Sequence, residues 1–129
     1  MIMKPALSIA RMHQLVMDNK VSSLTLIDEA YHRLHQQEKT LQAFREIGEA
    51  PDLAPQGLLA GVCVSVKDLY AVTGFATYAG SPFPLQEFNV SGTLVQRLTD
   101  AGTHVCCTAH TVDLASRCLG TNTHRPVPI

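Results

Sequence analysis

An apolar run at residues 58–66 ends abruptly in the charged pair Lys67-Asp68, and this feature constrains the fold more than any other. Valines recur through the run with small residues between them, so both faces tolerate burial. A strand of this kind is typical of the centre of a parallel sheet covered by helices. We therefore predict a central strand of an α/β sheet at residues 58–66, with a lysine where the strand ends.

A helix and a second strand follow along the chain. Residues 89–101 are predicted to form the helix, with Ser91 as its N-cap, Gly102 as the residue that ends it, and an inner face made by Leu94, Val95, Leu98 and Ala101. Residues 104–107, H-V-C-C, then predict an apolar strand. The order strand, helix, strand predicts a right-handed crossover and parallel pairing of the two strands.

The N-terminal part is predicted to be a helical hairpin. A first helix begins near Ser8 and ends near Asn19; a second covers residues 24–37, with a buried stripe at Leu24, Ile27, Tyr31 and Leu34. Residues 41–45 predict a short strand, and residues 48–57, rich in proline and glycine, predict a loop. This loop is short for a linker, so we predict one domain over residues 1–129. Residues 1–40 form its helical hairpin, and residues 41–129 form the first strands and helix of its α/β core.

Charge and hydropathy argue against two classes of function. The chain has 129 residues, a formal net charge of −1 and no basic block, whereas nucleic-acid binding needs clustered Lys and Arg. No stretch approaches the roughly 18 consecutive apolar residues of a membrane span, and residues 1–14 lack the apolar run of an export signal. We therefore expect a cytoplasmic protein without nucleic-acid or membrane partners.

Four cysteines, Cys63, Cys106, Cys107 and Cys118, are expected to be free thiols that pack as small apolar residues. Because successive side chains of a strand alternate, Cys106 and Cys107 are expected to point to opposite faces of the sheet.

Lys67 is the candidate catalytic residue. Ligand sites of open α/β sheets lie at the carboxyl ends of strands, and burial there disfavours the charged form of a lysine. A neutral amine can take a proton from a hydroxyl nucleophile. The residues alone leave two alternatives open: the side chain extends to solvent, or it pairs with a carboxylate such as Asp68 or Asp113.

A zinc site is a weaker hypothesis. Cys107 with His110, and Cys118 with His124, have spacings close to those of zinc ligands. Only seven residues separate the two pairs, which is short for a finger, so the sequence predicts no metal and no cofactor. The glycines match neither a dinucleotide nor a P-loop pattern, and Ser65 and Ser81 lie outside any nucleophile-elbow sequence.

Five stretches together resemble the N-terminal part of the amidase signature family, serine hydrolases that use a Ser–cis-Ser–Lys triad. Residues 61–68, G-V-C-V-S-V-K-D, are similar to the family's strand motif G-V-P-V-S-V-K-D. Gly74 with residues 77–81 resembles its G-x-x-T-x-A-G-S segment, and residues 95–102 resemble V-x-R-L-x-x-A-G. Residues 110–115 and 119–124 are similar to H-T-V-E-L-A and L-G-T-N-x-H.

The resemblance implies that Lys67 is the triad lysine. It would deprotonate a bridging serine, which would activate the nucleophilic serine for attack on an amide carbonyl, and an acyl-enzyme would then be hydrolysed. The implied substrates are small amides, with ammonia or an amine released. The implied fold is α/β and incomplete: a helical hairpin beside part of a mixed, largely parallel sheet.

The departures from the family matter as much as the match. The G-G-S-S-G-G motif, which supplies both serines, does not occur in the 129 residues. Cys63 replaces a usual proline, residues 107–109 read C-T-A in place of G-K-T, and Arg117-Cys118 replaces small residues. We therefore expect an inactive, truncated amidase fragment. The alternative is a non-catalytic interaction module or partner subunit. Either would need a complementary chain, or self-association through an unpaired sheet edge.

Overall fold

The computed structural model describes residues 7–87, 90–116 and 121–125, which form a mixed α/β fold. The elements are α1 (Ile9–Met17), α2 (Ser23–Leu41), β1 (Phe44–Ile47), β2 (Cys63–Lys67), β3 (Ala76–Thr77), β4 (Gln86–Glu87), α3 (Thr93–Asp100), β5 (His104–Ala109) and a short 3₁₀ turn (Asp113–Ala115). The predicted fold class is confirmed. None of the helices described is long and apolar enough to cross a bilayer.

The first two helices begin where serine caps them. The Ser8 hydroxyl accepts the backbone N–H of Arg11 at 3.2 Å, and the Ser22 hydroxyl accepts that of Thr25 at 3.0 Å. Asn19, the predicted end of α1, has the left-handed φ of 52° that follows a helix end.

Helix α2 continues to Leu41, four residues beyond the predicted end at residue 37. The Glu38 carboxylate accepts the backbone N–H groups of Ala43 and Phe44, each at 3.1 Å. It thereby provides hydrogen-bond acceptors for the backbone where the chain leaves the helix. The predicted stripe omitted Leu26, which is buried, and included Leu24, which is only partly buried.

The main sheet has the strand order β1-β5-β2. Strand β2 pairs with β5 in parallel, as predicted, and β1 pairs with β5 antiparallel. The prediction that residues 58–66 form the central strand is wrong in two respects. Residues 58–61 form a turn, and the middle position belongs to β5. Strand β1 likewise lies three residues later than predicted at its start.

An irregularity in the pairing of β2 with β5 determines the orientation of the cysteines in β5. Val64 pairs with Val105 and Ser65 with Cys107, so Cys106 is an extra residue in β5, a β-bulge. The bulge places Cys106 and Cys107 in one cluster with their sulfurs 3.6 Å apart, so the predicted opposite orientation is wrong. Cys63, Cys106 and Cys107 are free thiols, whereas Cys118 lies outside the described residues.

Two apolar clusters cover the two faces of the sheet. Ile27 and Tyr31 of α2 pack on Cys106 and Cys107. Val95 of α3 packs with Val66, Val72 and Val105 on the other face. Because β5 contributes to both clusters, it is buried along most of its length.

Helix α3 is shorter than predicted. Its N-cap is Gly92, and the Ser91 hydroxyl instead accepts the backbone N–H of Thr73 at 3.0 Å. Val95 is 1% exposed but Leu94 is 57% exposed, so Leu94 does not belong to the inner face. Gly102 follows the helix with φ 98°, as predicted for the residue that ends it.

Candidate functional site

Lys67 occupies the last position of β2, at the carboxyl end of the parallel pair. Its Nζ donates to the backbone carbonyl of His110, just beyond the end of β5. The lysine side chain is exposed, so the residues described here do not provide the burial that sequence reasoning expected. The parallel pairing nevertheless brings residues 67–68 and 109–110 together at one edge of the sheet.

Asp68 is not the ion-pair partner of Lys67. It is 1% exposed, and its carboxylate accepts the backbone N–H groups of Tyr78 at 2.8 Å and Gly80 at 3.4 Å. Its own carbonyl accepts the N–H of Ala79 at 2.9 Å. Consecutive side chains of an extended chain point to opposite faces. The Lys67 and Asp68 side chains therefore bond to different groups, the amine to the carbonyl of His110 and the carboxylate to the turn at Tyr78 and Gly80. Sequence reasoning missed this role of Asp68.

The segment that Asp68 holds is a tight turn with left-handed backbone at Ala79 (φ 50°) and Gly80 (φ 78°). A Cβ on Gly80 would lie 2.3 Å from the carbonyl oxygen of Val112, so only glycine fits. The Asn122 side-chain amide donates to the carbonyls of Gly80 at 2.6 Å and Thr111 at 3.1 Å. These contacts join the turn to the segment beyond β5 that carries the Lys67 contact.

Charges of both signs lie near His110. Burial lowers the pKa of His110 below its ordinary value; the charges of Arg125 and Arg45 act in the same direction, and those of Glu38 and Asp68 act against it. The guanidinium carbon of Arg45 lies 3.5 Å from the centre of the Tyr78 ring. Cationic and anionic side chains therefore both lie near this end of the sheet: Lys67, Arg45 and Arg125, and Glu38 and Asp68.

The two serines considered from the sequence lie in a turn, Ser81, and on a strand, Ser65. The Ser81 hydroxyl bonds to the backbone of Phe83, donating to its carbonyl and accepting its N–H at 3.0 Å. It is a turn hydroxyl. Ser65 is exposed on β2.

The residues of the zinc hypothesis are spread over the molecule. His110 lies beyond the carboxyl end of β5, and His104, a further histidine, lies at the start of that strand and bonds to Tyr31 and to the carbonyl of Glu49. Cys107 is in the core, where hydrogen bonding to Cys106 and burial raise its pKa and keep the thiol protonated. Within residues 7–87, 90–116 and 121–125, no three potential ligands meet as a metal would need; Cys118 lies outside these ranges.

Comparison with known proteins agrees with this arrangement. Residues 19–126 match the family model described as Amidase, and the chain belongs to the amidase family. The 2-amino-5-chloromuconic acid deaminase of Comamonas testosteroni is 41% identical over 83 residues, which cover 64% of this chain and 17% of that protein. An amidase of Pseudomonas putida is 30% identical over 121 residues, with 84% and 26% covered.

A solved crystal structure of an amidase shares the fold. It superposes with a TM-score of 0.76 at 25% identity, over 94% of this chain and 31% of that one. The chain thus spans about a quarter or less of the curated relatives that it matches.

Proposed function

We propose that this chain contributes the lysine of a Ser–cis-Ser–Lys site that hydrolyses small amides. The observation that carries the proposal is the position of Lys67. It ends the strand that matches the family motif, at the carboxyl edge of the parallel pair, with its amine on the carbonyl of His110.

In this scheme the neutral amine of Lys67 takes a proton from a bridging serine, which in turn takes one from the nucleophilic serine. The serine oxygen attacks the amide carbonyl, the leaving nitrogen is protonated, and ammonia or an amine departs. Water then hydrolyses the acyl-serine. The 129 residues contain no G-G-S-S-G-G sequence, so both serines come from other residues, in the same polypeptide or in another.

The substrates we propose are small amides, and no cofactor is required. The relative from Comamonas is named a deaminase, which accords with release of ammonia from a small nitrogen compound. We further propose that residues 1–129 are one part of a single amidase domain, with residues 1–40 as its helical layer. The chain alone would then be inactive.

Reconstitution tests this function. The chain is mixed with the P. putida amidase from which the matching region has been removed, and ammonia release from small amides is measured. We expect release in the mixture and from neither part alone. Lys67→Ala should lower the rate at least ~100-fold, the usual contribution of a general base. Lys39→Ala, on the exposed side of α2, is the matched control. Absence of release from the wild-type mixture contradicts the proposal.

A second function, a non-catalytic interaction module, is favoured by exposed apolar side chains. Leu58, Phe83 and Leu94 are each more than half exposed, and β2 has one unpaired edge among the strands described. The module would bind a complementary chain or a second copy of itself through this edge. Light scattering on the purified chain tests self-association: a concentration-dependent dimer supports it, and a monomer at all concentrations contradicts it.

A further inference from the structure

Two thiols of β5, Cys106 and Cys107, lie together in the core, and the proposed hydrolysis uses neither. In a regular strand the side chains of adjacent residues point to opposite faces. The bulge at Cys106 interrupts that alternation, and both cysteines pack in one cluster with Ile27 and Tyr31 of α2. Their Sγ atoms are 3.6 Å apart, and both are free thiols. The fold therefore holds a pair of adjacent thiols within reach of each other.

The two thiols of this pair differ in their surroundings. Cys106 is 6% exposed and Cys107 is 1% exposed. Cys63 of β2, which is partly exposed, packs against the same cluster. The pKa of Cys106 is lowered, because Cys107 and Cys63 donate hydrogen bonds to its sulfur; burial opposes this effect. Since the thiolate is the reactive form of cysteine, Cys106 is the nucleophile of the pair.

We propose that Cys106 and Cys107 are an oxidative modification site, at which a hydroperoxide converts the two thiols into a disulfide within β5. The sulfur of Cys106 attacks the O–O bond and becomes a sulfenic acid, while the rest of the hydroperoxide leaves as an alcohol, or as water from hydrogen peroxide. The sulfur of Cys107 then attacks the sulfenic sulfur, which releases water. The two thiols lose two electrons and two protons, and the hydroperoxide takes up both.

The geometry of adjacent residues favours a reversible bond. Their Cα atoms are about 3.8 Å apart across a trans peptide, less than the ~4.4–6.8 Å that is usual for a disulfide. Departures from the usual geometry make a disulfide easier to reduce. The site therefore suits a modification that thiol reductants reverse rather than a permanent cross-link. This proposal does not depend on the amide-hydrolysing function.

Peptide mapping of the full chain tests the site. The reduced chain is treated with hydrogen peroxide, unfolded, alkylated and digested with trypsin. Residues 98–117 form one tryptic peptide that contains Cys106 and Cys107, whereas Cys63 and Cys118 lie in separate peptides. We expect the 98–117 peptide to lose two hydrogens and to carry no alkyl group. Reduction with dithiothreitol before alkylation should restore both alkylation sites.

A rate comparison separates the effect of the fold from adjacency in sequence. The same oxidation is followed in the folded chain and in the chain unfolded by urea. We expect the disulfide to form at least ~10-fold faster in the folded chain, because the bulge already holds the two sulfurs together.

Variants test the order of the two steps, with dimedone present to capture the sulfenic acid. Cys107→Ser should accumulate the dimedone adduct at Cys106. Cys106→Ser should accumulate at least ~10-fold less adduct at Cys107, because a protonated thiol is a poor nucleophile. Cys118→Ser is the control and should form the disulfide as the wild type does. If a variant loses its urea transition, the wild-type peptide map and the rate comparison decide alone.

Four results would overturn the proposal. They are a doubly alkylated 98–117 peptide after peroxide, a disulfide that joins this peptide to Cys63 or Cys118, equal rates in the folded and unfolded chains, and more adduct at Cys107 than at Cys106.

Discussion

Replacing Gly80 by alanine tests whether the turn after β3 is locked against the segment beyond β5. Gly80 has φ 78°, and a Cβ there would lie 2.3 Å from the oxygen and 2.6 Å from the carbon of the Val112 carbonyl. Gly74 provides a matched control, since its φ is 87° and nothing lies within 4 Å of its Cβ position. The two substitutions share the backbone strain and differ in the steric clash.

The magnitudes follow from these contacts. A left-handed alanine costs about 1–2 kcal/mol, and restriction of the unfolded chain returns about 0.4–1 kcal/mol. Gly74→Ala should therefore cost about 1 kcal/mol. Gly80→Ala must also displace the Val112 carbonyl, an overpacking cost of about 1–3 kcal/mol. It further weakens the bonds of Gly80 to Asp68 and Asn122, so its total should reach about 3–4 kcal/mol.

Urea denaturation of the two variants measures the difference. With a dependence of about 1–3 kcal/mol per molar urea for a chain of this size, the midpoint of Gly80→Ala should lie about 1 M below that of Gly74→Ala. Equal midpoints would contradict the predicted clash, because they would show that the Val112 carbonyl moves aside at no cost in unfolding free energy.

Two further predictions concern charged groups at the same end of the sheet. Asp68→Asn should cost about 1–3 kcal/mol of unfolding free energy, since an amide cannot accept from both Tyr78 and Gly80; an unchanged urea midpoint would contradict the role of the carboxylate. The pKa of His110 is lowered in the folded chain, so the unfolded chain binds the proton first and stability should fall as pH drops below about 6.5. His110→Gln should flatten this pH dependence in thermal melts recorded at several pH values. His124→Gln, at an exposed histidine, is the control and should leave the dependence unchanged. Equal flattening by both substitutions would contradict the assignment of the pH dependence to His110.

The sequence carried enough information to predict most elements and the position of Lys67. Apolar runs, serine caps and Gly102 are local signals, and they predicted the helices and the parallel pair. The strand β5 lies in the middle of the sheet because β1 pairs with its other edge. That pairing joins residues distant in sequence. The bulge at Cys106 shifts the register by one residue, which no local pattern reports.

The surroundings of the candidate site were harder to predict. Asp68 is buried because backbone N–H groups ten to twelve residues later reach its oxygens. Its sequence neighbour Lys67 suggested an ion pair instead. A usable signal did exist for Arg45, a charged residue within a predicted strand, but its partner Tyr78 lies on another segment.

The role of Lys67 is tested most directly by ammonia release from the reconstituted mixture that carries Lys67→Ala. We predict that the wild-type mixture releases ammonia from small amides, that Lys67→Ala lowers the rate at least ~100-fold, and that Lys39→Ala leaves it unchanged. A Lys67→Ala mixture as active as the wild type would contradict the central claim that Lys67 is the catalytic base.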